Sequence, residues 1–417
     1  MMKRALSLGL LSCMMLFILL PLLSSCAAGS TTETLYVYNW GEYMSDGSEG
    51  SRDVNREFEL YCKNVLGKNV KVNYSTFSSN EDMYAKISSG SSTYDVIVPS
   101  DYMIQRMVSE DLLLPLNMDL IPNYQYVSDD FKGENVYYED DNTDDVIYSV
   151  PYFYGMVGVI YNQSIVDEND EDIGSWSLMW DEDYTRNILQ FNNSRDAFGT
   201  ALYYLGYDVN TATEGQWREA LELLKTQKSV VQGYVMDEIF NKMKSGSAGV
   251  AAYYAGDFLS MYEDNDDLAF YYPEEGTNMY VDAMCVPKNS QNPELAMAYI
   301  NFMCERDNAV ANALYTYYAS PLTNVIEDAE YQASMAEVHE DAMQILYGDH
   351  EALEKAQPYL NLEPEQLVML NGLWEELKGA SSIGKGIYVG CGIIMAALVA
   401  IVGYQIIKKR RWAKLYD

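Results

Sequence analysis

From Leu35 onward the chain alternates short apolar runs with helix-length stretches that are polar on one side, a pattern few architectures accommodate. Leu35–Asn39 reads as a strand, Asp53–Lys63 as a helix and Val70–Tyr74 as an alternating strand. Ser79, with Asp82 three residues on, forms a capping box and opens a helix to about Ser88. Tyr94–Val98 is the next apolar strand, ended by Pro99, and a helix follows from about Tyr102 to Ser109. Strands separated by helices of this length predict an α/β fold built on a doubly wound, mostly parallel sheet. In such sheets ligands bind beyond the carboxyl ends of strands. Trp40–Tyr43 and Ser100–Tyr102 both fall at that place.

A second run begins near Pro151. Gly155–Asn162 is apolar and unbroken enough to carry the chain into another lobe. In Glu214–Gln227 the residues Trp217, Ala220, Leu221 and Leu224 share one helical face. Asp237–Lys244 is a short helix closed by Gly246, while Ala248–Tyr253 and Val281–Val286 read as strands. Asn292 and Pro293 start a helix to about Cys304, as cap and first-turn proline. A chain of 417 residues that is 48% hydrophobic can bury a core large enough for two lobes.

The two ends carry different signals. Met1–Arg4 is basic, Ala5–Leu23 is mostly apolar, and small residues lead to Cys26, so residues 1–25 read as a secretory signal. Leu23-Ser24-Ser25-Cys26 resembles a bacterial lipobox, which makes Cys26 the expected lipidation site. Ile387–Ile407 holds 21 uncharged residues, long enough for a C-terminal transmembrane helix. Lys408, Lys409, Arg410 and Arg411 follow, and residues 408–417 read as a cytoplasmic basic tail. The expected location is the cell membrane, with the body facing outward and tethered by Cys26, the span, or both.

A net charge of −35 repels nucleic acid and draws in cations. The acidic runs Glu139–Asp145, Asp167–Asp172 and Glu263–Asp267 lack the spacing of an EF-hand, so no metal site is expected. The only two histidines, His339 and His350, do not neighbour a plausible nucleophile. No G-x-S-x-G, H-E-x-x-H or phosphate-binding glycine loop appears, and no cofactor is implied. Paired carboxylates leave no such signature, so a hydrolase using Glu42 or Asp282 stays open as a rival to binding. Cys62, Cys285 and Cys304 are an odd set in the outer body, which forbids a full disulfide framework. Cys285 and Cys304 are either bridged or two buried thiols.

Tyrosine recurs, 37 in all, beside acidic residues. Tyr254 precedes Gly256-Asp257, Tyr280 lies two residues before Asp282, and Tyr317-Tyr318 leads into Ser320-Pro321. On a strand, period two places Tyr280 and Asp282 on one face. Trp40, Glu42 and Tyr43 directly follow the first strand, and an aromatic face next to an anion suits an organic cation.

Six segments, taken together and in order, resemble the spermidine/putrescine-binding proteins of ABC importers. They are L-Y-V-Y-N-W-G-E-Y (35–43), Y-D-V-I-V-P-S-D-Y (94–102), S-V-P-Y-F-Y-G (149–155), Y-Y-P-E-E-G (271–276), Y-V-D-A-M-C-V-P (280–287) and Y-Y-A-S-P-L-T-N (317–324). The resemblance runs from about Thr34 to Gly379. It implies a two-lobed, periplasmic-binding-protein-like fold of type II, with a polyamine cleft between lobes and delivery to the permease subunits of an importer. Lobe 1 would comprise 34–157 and 281–326, and lobe 2 would comprise 158–280 and 327–379. The ligand-binding residues it implies are Trp40, Glu42, Tyr43, Ser100 and Tyr102, then Asn193, Asp196 and Tyr254, and finally Tyr280, Asp282 and Tyr318. A glutamine that the family uses near its C-terminus has no evident counterpart. Asn193 stands where the family has an aspartate, Gly41 where it has a threonine, and tyrosines stand at 254 and 280 where some members have tryptophan. These departures leave open the choice between putrescine and spermidine. The same fold could instead hold ferric iron, thiamine or a sugar.

Overall fold

In the computed structural model, which describes residues 32–132, 146–348 and 350–379, the expected alternation is realised. Strand β1 (Glu33–Trp40) leads to helix α1 (Val54–Tyr61), β2 (Val70–Phe77), α2 (Asn80–Ser88), β3 (Val96–Ile97) and α3 (Asp101–Ser109). The long β4 (Ser149–Asn162) follows, then β5 (Ile188–Phe191), α4 (Ser194–Tyr204), α5 (Glu214–Gln227), β6 (Val231–Val235) and α6 (Glu238–Lys244). Next come β7 (Val250–Tyr254), α7 (Ala255–Tyr262), β8 (Leu268–Tyr271), β9 (Thr277–Cys285), α8 (Pro293–Met303) and α9 (Arg306–Thr316). Short helices fill 323–355 before β10 (Ala356–Pro358) and a last helix, Pro364–Gly379.

The chain divides into two compact units. The first runs to Gly155 and resumes over Tyr280–Tyr347; the second takes Met156–Met279 and resumes at Gly348. Helices Ala329–Val338 and Ala342–Tyr347 fall in the first unit, whereas the sequence reading places 327–379 in the second lobe. In the first unit β1 pairs in parallel with both β2 and β3, and β3 meets β9 antiparallel at Ile97 and Cys285. In the second, β5 pairs in parallel with β6 and β7, β7 meets β4 antiparallel, and β8 lies on β4. Each unit therefore has a parallel trio flanked by an antiparallel strand that enters from the other unit. β4 is buried along nearly its whole length, as a strand covered on both faces must be. The core of the first unit gathers Tyr38, Phe77, Met83, Ile97, Met103, Ile104 and Met107, with Val281, Ala283 and Cys285 of β9.

Local chemistry explains most element ends. Ser79 caps α2 by accepting from the Asp82 N–H at 3.1 Å, and Thr213 with Gln216 closes a reciprocal capping box on α5. Trp217, Ala220, Leu221 and Leu224 form the buried face of α5. Asn292 departs from expectation. Its amide donates to the Thr34 carbonyl at 3.1 Å and leaves α8 uncapped by any side chain, with Pro293 starting the helix alone. β3 is also shorter than predicted. Asp95 keeps a backbone bond to the Tyr36 carbonyl at 2.8 Å, and its carboxylate accepts from the N–H groups of Tyr36, Gln291 and Asn292. Cys62, Cys285 and Cys304 are buried free thiols.

One part of the expected fold class is corrected. Among the described residues no helix is long and apolar enough to cross a membrane, so the two-lobed fold stands without the added C-terminal transmembrane helix. The last described helix, Pro364–Gly379, carries Glu365, Glu375, Glu376 and Lys378 and packs only one side through Leu370, Leu373 and Leu377. The stretch 387–407, the tail 408–417, the signal over 1–25, Cys26 and the acidic run at 139–145 lie outside the described residues.

Candidate functional site

In the first unit the chemistry gathers around Asp282. β9 carries it to a buried position, 4% exposed, and both carboxylate oxygens are engaged. The Tyr43 hydroxyl donates to Oδ2 and the Ser100 hydroxyl to Oδ1, each at 2.6 Å. These two bonds fix the orientation of the carboxylate. Burial and the neighbouring Asp282 charge push the Tyr43 phenol well above its ordinary value, so it stays protonated and donates.

Ser100 precedes α3 at the carboxyl end of β3 and is itself fixed by Asn80. That amide accepts from the Ser100 N–H at 3.1 Å and donates to its hydroxyl at 3.0 Å and to the Tyr102 hydroxyl at 3.1 Å. Tyr102 in turn donates to Glu81 at 3.0 Å. Tyr318 stands edge-on to Tyr43, with ring centroids 4.6 Å apart. Tyr280 follows on β9, and a side chain on Gly155 would come within 2.7 Å of its hydroxyl. Glycine at 155 is what lets the phenol sit there.

The first loop contributes differently from its neighbours. Trp40 is half-buried against Phe77, with ring centroids 4.5 Å apart, and joins the edge of the core. Its Nε1 has no hydrogen-bond partner among the described residues. Glu42 is exposed and held in the left-handed region at φ 49°, a conformation that non-glycine residues adopt at a cost.

In the second unit Asn193, Asp196 and Tyr254 form one cluster. Asn193 caps α4 by accepting from the Asp196 N–H at 2.8 Å, and its amide donates to Asp196 Oδ2 at 2.7 Å. The Tyr254 hydroxyl donates to the same oxygen at 2.8 Å. Asp196 is buried, and desolvation raises its pKa above the ordinary carboxylate value of 3.8. The bonds from Asn193 and Tyr254, the Arg195 charge and a bond from Tyr359 oppose that rise. Other acids crowd the same unit. Burial, then the charges of Asp257, Asp237, Asp196 and Glu238, push the Tyr253 phenol well up.

Several residues that sequence reasoning does not reach complete the two clusters. Asn80 sits at the start of α2, in the capping segment that the sequence did signal. Asp257 lies in the first turn of α7, three residues after Tyr254, and is 6% exposed. Tyr359 lies under the Arg195 guanidinium at 4.7 Å, and Arg195 also donates to the Leu360 carbonyl at 2.8 Å. Gln357, on β10, has a buried Oε1 with no partner among the described residues. Only a packed structure brings 356–360 beside α4.

The comparisons with known proteins identify the family. The family described as "Bacterial extracellular solute-binding protein" matches residues 61–337. The spermidine/putrescine-binding periplasmic protein of Salmonella typhimurium is 30% identical over 298 residues, covering 71% of this chain and 80% of that protein. The putrescine/cadaverine-binding protein of Pseudomonas aeruginosa is 26% identical over 381 residues, covering 87% and 98%. A solved chain from Listeria monocytogenes, named for a spermidine/putrescine ABC transporter, superposes with a TM-score of 0.73 at 33% identity, covering 83% of this chain and 99% of that one. These matches bear out the resemblance read from the six segments. The chain belongs to the bacterial extracellular solute-binding protein family.

Proposed function

We propose that this protein is an extracytoplasmic receptor that binds a polyamine and delivers it to the permease of an ABC importer. The observation that carries the reading is a pair of buried carboxylates, each oriented by a tyrosine hydroxyl: Asp282 by Tyr43, and Asp196 by Tyr254. Polyamine ammonium groups have pKa values near that of lysine, about 10.4, and stay charged at neutral pH. Each carboxylate contact to a charged amine contributes roughly 1.5–3 kcal/mol. Each well-placed aromatic face adds about 0.5–2 kcal/mol and covers the methylene stem. After ordering costs, such contacts suffice for micromolar affinity, about −8 kcal/mol.

In this reading one ammonium pairs with Asp282, with Tyr43 and Ser100 holding the carboxylate, Tyr102 joined to Ser100 through Asn80, and Tyr280 and Tyr318 supplying rings. Glu42 and Trp40 border that set. Another ammonium meets the acids of the second unit, with Asp196 oriented by Asn193 and Tyr254, and Gln357 offers an amide acceptor. The names of the relatives support a polyamine over ferric iron, thiamine or a sugar. The carboxylates serve to bind, not to catalyse, so the amine leaves unchanged. A thermal-shift panel of putrescine, spermidine, spermine, thiamine, ferric iron and sugars on the full-length chain tests the proposal. Amines alone should raise the melting temperature, and mass spectrometry should recover them intact. A shift with a sugar, thiamine or iron but none with amines overturns it.

A further inference from the structure

The run Leu60–Asn80 stands apart in a chain that carries 62 acids against 27 bases. It holds Lys63, Lys68 and Lys71 and no aspartate or glutamate. After α1 the backbone widens into a π-turn over Cys62–Leu66, ended by Gly67 in the left-handed region at φ 68°. The Lys68 N–H returns to the Cys62 carbonyl at 3.0 Å. Cys62 is buried, whereas every residue from Lys63 to Lys68 is exposed. Val65, at 65%, is the most exposed large apolar side chain described in the first unit, and Leu60 and Leu66 stand at 43% and 40%. Single exposed apolar residues are ordinary, but three interleaved with lysines around one turn match the amphipathic pattern of a membrane-surface element.

Positive charge collects around this turn. Arg56 and Lys71 share the Glu59 carboxylate, at 2.6 and 3.0 Å, and Lys68 pairs with Glu33 at 3.2 Å. The neighbouring Glu57 is taken by Arg52. Lys63 adds a charge with no ion-pair partner among the described residues. The turn also lies where the chain enters the fold. The Glu33 N–H donates to the Asn69 carbonyl at 2.9 Å, so β1 starts beside the Gly67–Asn69 bend. Glu33 is seven residues beyond Cys26, the expected lipidation site, and seven residues reach about 25 Å at most. A lipid on Cys26 would hold this end of the first unit close to the bilayer. Trp40, Glu42 and Tyr43 come at or after the other end of β1, roughly 23 Å away along the strand.

We propose that the segment Leu60–Lys71 is a docking surface for an anionic phospholipid bilayer, on which the first unit rests with the amino end of β1 towards the lipid. The lysines sit among the headgroup phosphates, and Leu60, Val65 and Leu66 enter the boundary between headgroups and acyl chains. The acidic remainder of the surface is repelled by the same lipids, so the contact selects one orientation of a tethered body. Screening over about 8 Å at physiological salt lets the local lysines outweigh distant acids. This docking does not depend on which solute the protein binds.

Hydrogen exchange read by mass spectrometry on the full-length chain tests this, with vesicles of phosphatidylcholine alone or mixed with phosphatidylglycerol. Exchange across 60–71 should be at least about fivefold slower with the anionic vesicles, the effect of one lysine at a charged surface. The difference should vanish at about 1 M salt, where the Debye length falls to about 3 Å. Lys63→Glu and Val65→Asp should each remove most of the protection and leave spermidine affinity unchanged. Equal exchange with the two kinds of vesicle overturns the inference, as does protection that folded variants retain. Protection that grows with protein concentration and needs no lipid overturns it too, and makes this face an interface between copies of the chain. Should a variant fail to fold, the comparison of vesicles on the unsubstituted chain still decides. A chain that binds no amine yet shows this protection refutes only the polyamine reading.

Discussion

Gly199 and Tyr359 share one space: a side chain at 199 would overlap the Tyr359 hydroxyl. One helical turn earlier on α4, Arg195 lies over the Tyr359 ring at 4.7 Å. Between them these two positions of α4 seat the ring so that its hydroxyl meets Asp196. Glycine inside a helix costs about 1 kcal/mol relative to alanine, so its presence here implies a packing reason.

Replacing Gly199 with alanine should therefore destabilise the protein despite the better helix propensity. Overpacking of this kind costs about 1–3 kcal/mol. Tyr359→Phe keeps the ring and removes only the hydroxyl bond to Asp196, so it should leave the melting temperature nearly unchanged and weaken polyamine binding. Differential scanning calorimetry and binding calorimetry on both variants separate the two effects.

Asp282→Asn keeps the shape of the side chain that Tyr43 and Ser100 hold and removes its charge. Polyamine affinity should fall about tenfold or more, the scale of a hydrogen bond to a charged partner. Asp282→Ala should lose as much affinity and also stability, because two buried hydroxyls would lack their acceptor. Equal affinity in Asp282→Asn and the unsubstituted chain would show that this carboxylate does not face the ligand.

Asp196 sets a pH dependence with a definite sign. Its folded pKa lies above the ordinary 3.8, chiefly through desolvation, so the native state holds this proton more tightly than the unfolded chain does. Its contribution to stability is therefore present at low pH and is lost as pH rises from 3.8 through the raised value. An ammonium ligand favours the ionised form, so binding in that window releases a proton and strengthens as pH rises. Calorimetry in buffers of different ionisation enthalpy would read the release, and Asp196→Asn should abolish it.

The strands of the first parallel trio, the cap at Ser79 and the apolar face of α5 are legible from the sequence because they depend on neighbours within one or two turns, whereas β5, β6 and the Thr213 cap have no counterpart in the sequence reading. Tyr280 and Asp282 are legible because strand alternation is equally local. Asn292 misleads, since its amide is spent on Thr34, far away in sequence. Asn80 and Tyr359 are polar residues whose roles depend on partners brought close only by tertiary packing: Tyr359 meets a carboxylate on α4, and Asn80 holds a hydroxyl 20 residues on.

Asn193→Asp tests the departure from the family at the second cluster. Aspartate also caps helices, so α4 should persist. The donor at 2.7 Å from Asp196 would be replaced by a like charge, which raises the apparent pKa of the pair. The free protein should melt lower at neutral pH, while the shift produced by spermidine should grow more than that produced by putrescine. An unchanged ratio of the two shifts would place residue 193 away from any ammonium.

Glu42 offers a test in which stability and binding move in opposite directions. Its φ of 49° lies in the left-handed region, where a non-glycine residue carries roughly 1–2 kcal/mol of strain. Tyr317, just before the Tyr318 ring, is left-handed as well, at φ 58°. Strain of this kind tends to persist where the surroundings need a particular side chain. Glu42→Gly should therefore relieve the backbone and raise the melting temperature, while polyamine affinity falls with the loss of the carboxylate. Glu42→Gln, which keeps the strain and removes the charge, should lower affinity with no gain in stability. If Glu42→Gly stabilises the chain and binding is untouched, the left-handed turn is a feature of the fold alone and Glu42 stands outside the ligand site.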